Sequence, residues 1–242
     1  MADTVKKEPE FKDPGVGNLQ MIFWMPTLDA AVLEMLTKRG HKVVYNPKLW
    51  YDVALFTGGP DVHPFLYGEK LHNKTVFDLQ RDLRDSAAYH MLHSVVPKVG
   101  ICRGAQFLNV KSGGRLYQHV TDHAISGTHE VMDNWTSDVF KVTSTHHQMI
   151  RPSYDAEILL ATDLSKTRST YDSTIYPAGY SEEDVEACYY PETNSFCFQP
   201  HPENDNSPKE CTDYFFEKIH TYYWNDTLRR RKYVRDAKKK EV

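Results

Sequence analysis

Long apolar runs are missing from this chain. Nowhere do eighteen apolar residues follow one another, so no segment reads as a membrane-spanning helix. The opening stretch, Met1 to Asp13, is polar with charges of both signs and no apolar core, so it does not read as a secretory signal. Cysteine is scarce. The four at positions 102, 188, 197 and 211 show no metal-ligand spacing. Free thiols in a reducing cytosolic setting are their simplest account, which leaves the sequons at Asn73, Asn134 and Asn225 without meaning. No glycine-rich phosphate loop follows the first apolar segment, and a nucleotide-binding reading loses its main signature.

What is present suits one α/β domain with a sizeable core: 242 residues, 40% of them hydrophobic,. Charge is spread unevenly. Residues 228–242 hold eight Lys/Arg against Asp236 and Glu241, a local +6 in a chain of net −4, which leaves the rest at −10. Residues 1–18, with Pro9, Pro14, Gly15 and Gly17, read as a flexible lead. The domain proper is expected over 19–227 and a basic tail over 228–242. The tail reads as a solvated, frayed helix end; its alternative is docking onto an acidic partner. Without interleaved aromatics, it is a poor nucleic-acid site.

Periodicity supplies the framework. Met21–Trp24 reads as a strand. Thr27 then reads as the N-cap of a helix with Leu28, Ala31, Val32, Met35 and Leu36 on one face. Gly40 stops that helix, and Lys42–Tyr45 is the next strand. This β-α-β opening implies a parallel sheet with right-handed crossovers. Val53–Phe56 is a third strand. Asp82–Val95 reads as a helix turning Leu83, Ala87, Met91 and Val95 inward. Residues 121–140 read as a loop or short hairpin. Phe140–Thr145 and Ile158–Ala161 are expected strands, and Val185–Tyr190 with Ser195–Phe198 an expected hairpin. Ser207-Pro208-Lys209-Glu210 reads as a capping box opening a helix that buries Cys211, Phe215, Ile219 and Tyr222.

Chemistry concentrates at Val99-Gly100-Ile101-Cys102-Arg103-Gly104, an apolar strand running into a helix with cysteine at the joint. This is the G-x-Nuc-x-G elbow with sulfur in place of a serine hydroxyl. Glycines on both sides relieve crowding, and the helix N-terminus favours thiolate over thiol. A nucleophile needs a base, and the base needs a group to hold its tautomer. His201 and Glu203, two apart at the end of an apolar run, can project to one side. His146 or His147 could serve as base on chemistry alone. Thr57-Gly58-Gly59-Pro60-Asp61 ends the third strand, where the N–H of Gly58 or Gly59 could stabilise an oxyanion together with the N–H of Arg103. His119, His123 and His129 invite a zinc reading, but their spacing is no recognised ligand set and no cysteine or carboxylate pattern completes it. No metal and no cofactor is expected.

Taken together, Gly100–Gly104, Gln106, Leu108–Val110 and Gly113–Gln118 resemble the class I glutamine amidotransferase-like superfamily. The resemblance is nearest to its gamma-glutamyl hydrolase and gamma-glutamyl-GABA hydrolase branch. Gly58–Pro64 with Tyr67-Gly68-Glu69, Arg81-Asp82, Ser144–Gln148 and Gln199–Glu203 match that branch in order, over about residues 50–203. The resemblance implies a three-layer α/β/α sandwich with a mostly parallel, flavodoxin-like sheet. It also implies a Cys102–His201–Glu203 triad, an oxyanion hole at Gly58, Gly59 and Arg103, and a γ-glutamyl substrate bound by Gln106, Asp61, Thr145, His146 and His147. Two departures stand out: Pro200 replaces an aromatic residue, and Ala105 a larger aliphatic one. The activity implied is hydrolysis of glutamine or γ-glutamyl amines through a thioester. The alternatives are a glutaminase subunit feeding a separate synthetase, and a non-catalytic binding module of the same fold.

Overall fold

A computed structural model describes residues 20–170, 175–177 and 183–240; the expected lead over 1–18 lies outside them. The chain runs through β1 (Ile22–Trp24), α1 (Ala30–Lys38), β2 (Lys42–Val44), β3 (Val53–Phe56), a short 3-10 helix (Pro64–Tyr67), α2 (Leu79–Met91) and β4 (Lys98–Ile101). It continues through α3 (Arg103–Lys111), β5 (Arg115–Tyr117), β6 (His119–Val120), β7 (Ala124–Asp133), β8 (Val139–Thr145) and β9 (Met149–Arg151). β10 (Glu157–Thr162), β11 (Thr167–Ser169), β12 (Ile175–Pro177), β13 (Asp184–Tyr190), β14 (Ser195–Phe198) and α4 (Lys209–Lys240) complete it.

One half of the main sheet is parallel, in the order β2-β1-β3-β4-β14. Counting only these strands, this is the flavodoxin-like order 2-1-3-4-5, in which ligands bind beyond the strands' carboxyl ends. From β14 the sheet continues antiparallel through β13, β10, β7 and β8. Alternation along β3 shows the three layers directly. Val53 and Leu55 face a core shared with α1 and α4 through Val32, Leu36, Phe215 and Ile219. Ala54 and Phe56 face the other core, with Ala88 of α2 and Phe107 and Leu108 of α3. All four β3 residues are fully buried, the pattern of a parallel strand covered on both sides.

Three elements differ from expectation. Asp29, not Thr27, caps α1: its carboxylate accepts from the N–H groups of Ala31 and Val32, both at 3.1 Å. A carboxylate answers the orphan donors of the first turn at least as well as a hydroxyl. Leu28 and Ala31 are then left exposed. Helix α2 is rotated relative to its apolar stripe. Leu83, Met91 and Val95 are exposed, while Arg81, Asp82 and Asp85 are buried, because Arg103 and the loop after β3 supply partners for those charges. Of the loop or short hairpin expected over 121–140, the hairpin is what forms, and it is long: β7 pairs with β8.

The expected boundary at 227/228 falls inside α4, and the tail does not begin as a frayed end. Arg230 donates to the carbonyls of Asp52 (2.7 Å) and Tyr51 (3.2 Å). Arg231 donates to Asp52 Oδ1 (2.9 Å) and the Gln20 carbonyl (2.9 Å), and forms an ion pair with Asp52 Oδ2. Asp52, fully buried, also accepts from the N–H of Ile22 at 2.7 Å. Removing one partner of such a pair leaves an uncompensated buried charge. Truncation after Thr227 should therefore destabilise the protein by about 3 kcal/mol or more, roughly 6–12 °C in Tm. Truncation after Lys232, which keeps both arginines, should change Tm far less. Differential scanning calorimetry of the two shortened chains makes the comparison.

Candidate active site

Parallel register sets the site. Phe56 of β3 lies beside Gly100 of β4, and Ile101 of β4 beside Phe198 of β14. The segments leaving the three strands are therefore neighbours: Thr57–Gly59, Cys102 and Gln199–His201. Cys102 has φ 48° and ψ −109° as it passes from β4 into α3. A non-glycine residue held there stores strain of order 1–3 kcal/mol, a feature that clusters at functional sites. Gly104 is required at the turn, since a Cβ on it would lie 2.0 Å from the Phe56 carbonyl oxygen. The backbone N–H of Arg103, at the first position of α3, is one of the donors a helix leaves unpaired within itself.

The sulfur of Cys102 lies close enough to the His201 ring to raise its pKa. His201 Nδ1 in turn meets Glu203 Oε1 at 2.6 Å. The His201 backbone is pinned from the other half of the sheet: its N–H donates to Thr143 Oγ1 at 2.6 Å. Gly58 stands beside this ring, and a Cβ there would approach His201 Cε1 to 2.9 Å. Burial opposes charge on the imidazole, but the Cys102 sulfur and the Glu203 carboxylate overcome it and push His201 up to about 11. A protonated imidazolium is the state of His201 that this favours.

Beneath the Thr57–Gly59 segment lies a buried cluster of four charges. The Arg103 guanidinium pairs with Asp82 and Asp85, and Arg81 pairs with Asp85 at 3.0 Å. Arg81 also donates to the carbonyls of Gly58 (3.1 Å) and Thr57 (2.9 Å). Elbow and glycine segment are thus tied to one shared carboxylate, that of Asp85. Sequence reasoning missed Arg81 and Asp85 in this role; their i,i+4 spacing with Asp82 on one face was the available signal. It also passed over Thr143 and the side chain of Gln199, whose Nε2 lies 3.8 Å from the Cys102 sulfur.

The expected binding residues separate into two groups. Gln106 is buried behind the nucleophile, donating to the Gln148 carbonyl (3.1 Å) and Gln199 Oε1 (3.4 Å). Asp61 and His147 meet at 2.9 Å, and Asp61 also accepts from the Val76 N–H at 2.8 Å. His146 does not face this side. It is buried, and its Nε2 lies 3.5 Å from Glu186 Oε1. Thr145, at the exposed end of β8, pairs with Ala124. Strand alternation explains both: side chains next to each other in sequence leave opposite faces. His123 and His129 also meet Glu186, while His119 stacks with His72 and tilts against His147. The carboxylate absent from the local histidine spacing thus comes from β13.

A cysteine at a strained elbow, on the 2-1-3-4-5 sheet, defines a class I glutamine amidotransferase-like protein. A family model described as Peptidase C26 matches residues 49–203, and the chain belongs to that family. Protein NtpR of Enterococcus hirae is 30% identical over 188 residues, covering 69% of this chain and 72% of that one. A glutamine amidotransferase-like protein, the YvdE homolog of Lactococcus lactis subsp. cremoris, is 36% identical over 120 residues. That match covers 41% of this chain and 64% of the relative; the match to YvdE of strain IL1403 spans 51% of that protein. Among solved structures, a GMP synthase component from Thermoplasma acidophilum aligns with a TM-score of 0.59 at 15% identity. It covers 88% of this chain and 98% of that one, a likeness of fold. Carbamoyl phosphate synthase small chain of Pasteurella multocida is 28% identical over 78% of this chain and 43% of its own length. Among the described residues no helix is long and apolar enough to cross a membrane.

The raised His201 makes a pH prediction. Its folded value, about 11, lies above the unfolded value near 6.5,. The stability it contributes is complete below about pH 6.5 and is lost as pH climbs through about 11. Cys102→Ala removes the larger upward cause. The His201 ring should then titrate at lower pH than in the parent protein, read from its imidazole ¹H–¹⁵N resonances. An unchanged titration would mean that sulfur and ring do not interact.

Proposed function

We propose that this protein is a cysteine hydrolase of γ-glutamyl amide bonds, acting on glutamine or small γ-glutamyl amines. What supports the reading is that Cys102, at the strained elbow, and His201, whose Nδ1 meets Glu203 Oε1 at 2.6 Å, follow the paired strands β4 and β14. The thiolate attacks the γ-carbonyl and forms a tetrahedral oxyanion. Two main-chain N–H donors receive that charge, from Arg103 and from Gly58 or Gly59. Each such donor is worth roughly 3–4 kcal/mol in comparable hydrolases. The imidazolium of His201, oriented by Glu203, protonates the leaving amine, and a γ-glutamyl thioester remains on Cys102. Water, deprotonated by His201, then hydrolyses the thioester and restores the thiolate. Asp61 and His147 form the polar pair nearest in character to what the amino-acid head of the substrate requires, while Gln106 steadies the wall behind the sulfur. No cofactor enters this chemistry.

The gamma-glutamyl hydrolase branch rests on the Asp61 and Ser144–Gln148 segments. The likeness to carbamoyl phosphate synthase small chains favours a second reading, a glutaminase subunit delivering ammonia to a separate synthetase. The leaving group separates them. The isolated chain should release amines from γ-glutamyl amines, with the activity lowered roughly 10⁴-fold or more by Cys102→Ala and stability altered by only about 1 kcal/mol. Ammonia release from glutamine alone, rising when a synthetase is added, would favour the second reading. A glutamine-mimicking chloroketone should label Cys102 stoichiometrically. If Cys102 reacts no faster than the buried Cys188, Cys197 and Cys211, the chain is a binding module and both enzymatic readings fall.

A further inference from the structure

Away from Cys102, the antiparallel half of the sheet encloses a cluster that the proposed chemistry does not use. His123 enters β7, His129 sits on it, His146 follows β8, and Glu186 lies on β13. His123 and Glu186 are fully buried, His146 and His129 nearly so. Three ring nitrogens converge on Glu186 Oε1: His123 Nδ1 at 3.1 Å, His129 Nε2 at 3.1 Å and His146 Nε2 at 3.5 Å. None of these nitrogens, and neither oxygen of Glu186, makes a hydrogen bond of sound geometry. Polar atoms so buried and so left are costly unless something joins them.

The outer nitrogens say what that something is. His146 Nδ1 faces the Gln148 carbonyl at 3.0 Å. A carbonyl only accepts, so the ring proton is on Nδ1 and Nε2 points a lone pair at the carboxylate. His123 Nε2 faces Asp184 Oδ2 at 3.2 Å. That carboxylate is kept ionised by the N–H groups of Ser165 (2.7 Å) and Leu164 (3.0 Å) and by Arg168 Nε (2.7 Å). Its partner proton is therefore on His123 Nε2, and Nδ1 faces Glu186, where a second proton or a metal ion can stand between ring and carboxylate. The lone pair of His146 Nε2, aimed at a carboxylate, repels it unless a cation stands between. An outer carboxylate or carbonyl that fixes the tautomer of an inward imidazole is the usual support of a metal-bound histidine. The dimensions agree: a tetrahedral ion with bonds of about 2.0–2.1 Å has ligand–ligand edges of about 3.3 Å. The ligand atoms of His123, His146 and Glu186 lie within 4.8 Å of one another.

We propose that His123 Nδ1, His146 Nε2 and Glu186 bind a divalent transition ion, zinc by preference. The site is buried, and it clamps β7, β8 and β13 together. It stands independently of the role given to Cys102.

The test uses the full chain without a polyhistidine tag. It is loaded with zinc sulfate, dialysed, and measured by inductively coupled plasma mass spectrometry. About one zinc per chain is expected, retained in Cys102→Ser and lost in Glu186→Gln and in His123→Asn/His146→Asn. X-ray absorption should give a nitrogen and oxygen shell near 2.0 Å without sulfur. Should the variants fail to fold, the parent protein still decides: zinc at a hundredfold excess over its Kd should raise Tm by about 5 °C or more, reversed by a chelator. No retained zinc, zinc lost on changing Cys102, a sulfur shell, or an unmoved Tm would each overturn the proposal.

Discussion

The site depends on one backbone conformation, the φ of 48° at Cys102. L-residues avoid this region, so it persists only where the surroundings over-determine it. Here they do so from three sides. Gly104 lets α3 press against the Phe56 carbonyl. The N–H of Cys102 donates to the Phe198 carbonyl at 2.8 Å, holding the turn to β14. The first helical bond, from the Gln106 N–H to the Cys102 carbonyl at 3.0 Å, starts α3 at once. Strain at Cys102 is thus balanced by packing and hydrogen bonds that reach across three parallel strands.

The two halves of the sheet then contribute differently. The parallel half brings elbow, glycine segment and His201 together through strand order alone. The antiparallel half holds His201 in place, through Thr143 of β8 on its backbone and through β13, where the Glu186 carbonyl accepts from the Gln199 N–H at 2.8 Å. Glu186 therefore joins two environments: its main chain supports the segment leading to His201, and its side chain enters the histidine cluster.

Much of this was legible in the residues. Val53–Phe56 stands as read, because four consecutive apolar residues between turn signals admit little else. The elbow and the His201–Glu203 pair were legible because their spacing is demanded by chemistry rather than by packing. The face of α2 was misread for a physical reason. Leu83, Met91 and Val95 form a respectable apolar stripe, but Arg103, far along the chain, captures Asp82 and Asp85 and turns the stripe outward. A partner more than fifteen residues away leaves no trace in local periodicity. The same holds for Glu186, separated by about forty residues or more from each of its three histidines, and for Arg230 and Arg231, whose anchor Asp52 lies at the other end of the chain. Long-range polar pairing is where periodicity stops being informative.

The frame under the elbow is held by charge, while the two cores flanking the sheet are held by apolar burial. These forces answer temperature in opposite senses. Cooling weakens apolar burial, whereas the desolvation penalty of ion pairs falls as temperature rises. In the cold, then, the layers loosen around an elbow whose posture is still dictated by Arg81 and Arg103. On warming, the ionic frame gains strength as thermal disorder grows in the helices that cover it. Being buried, it is also largely beyond the reach of added salt.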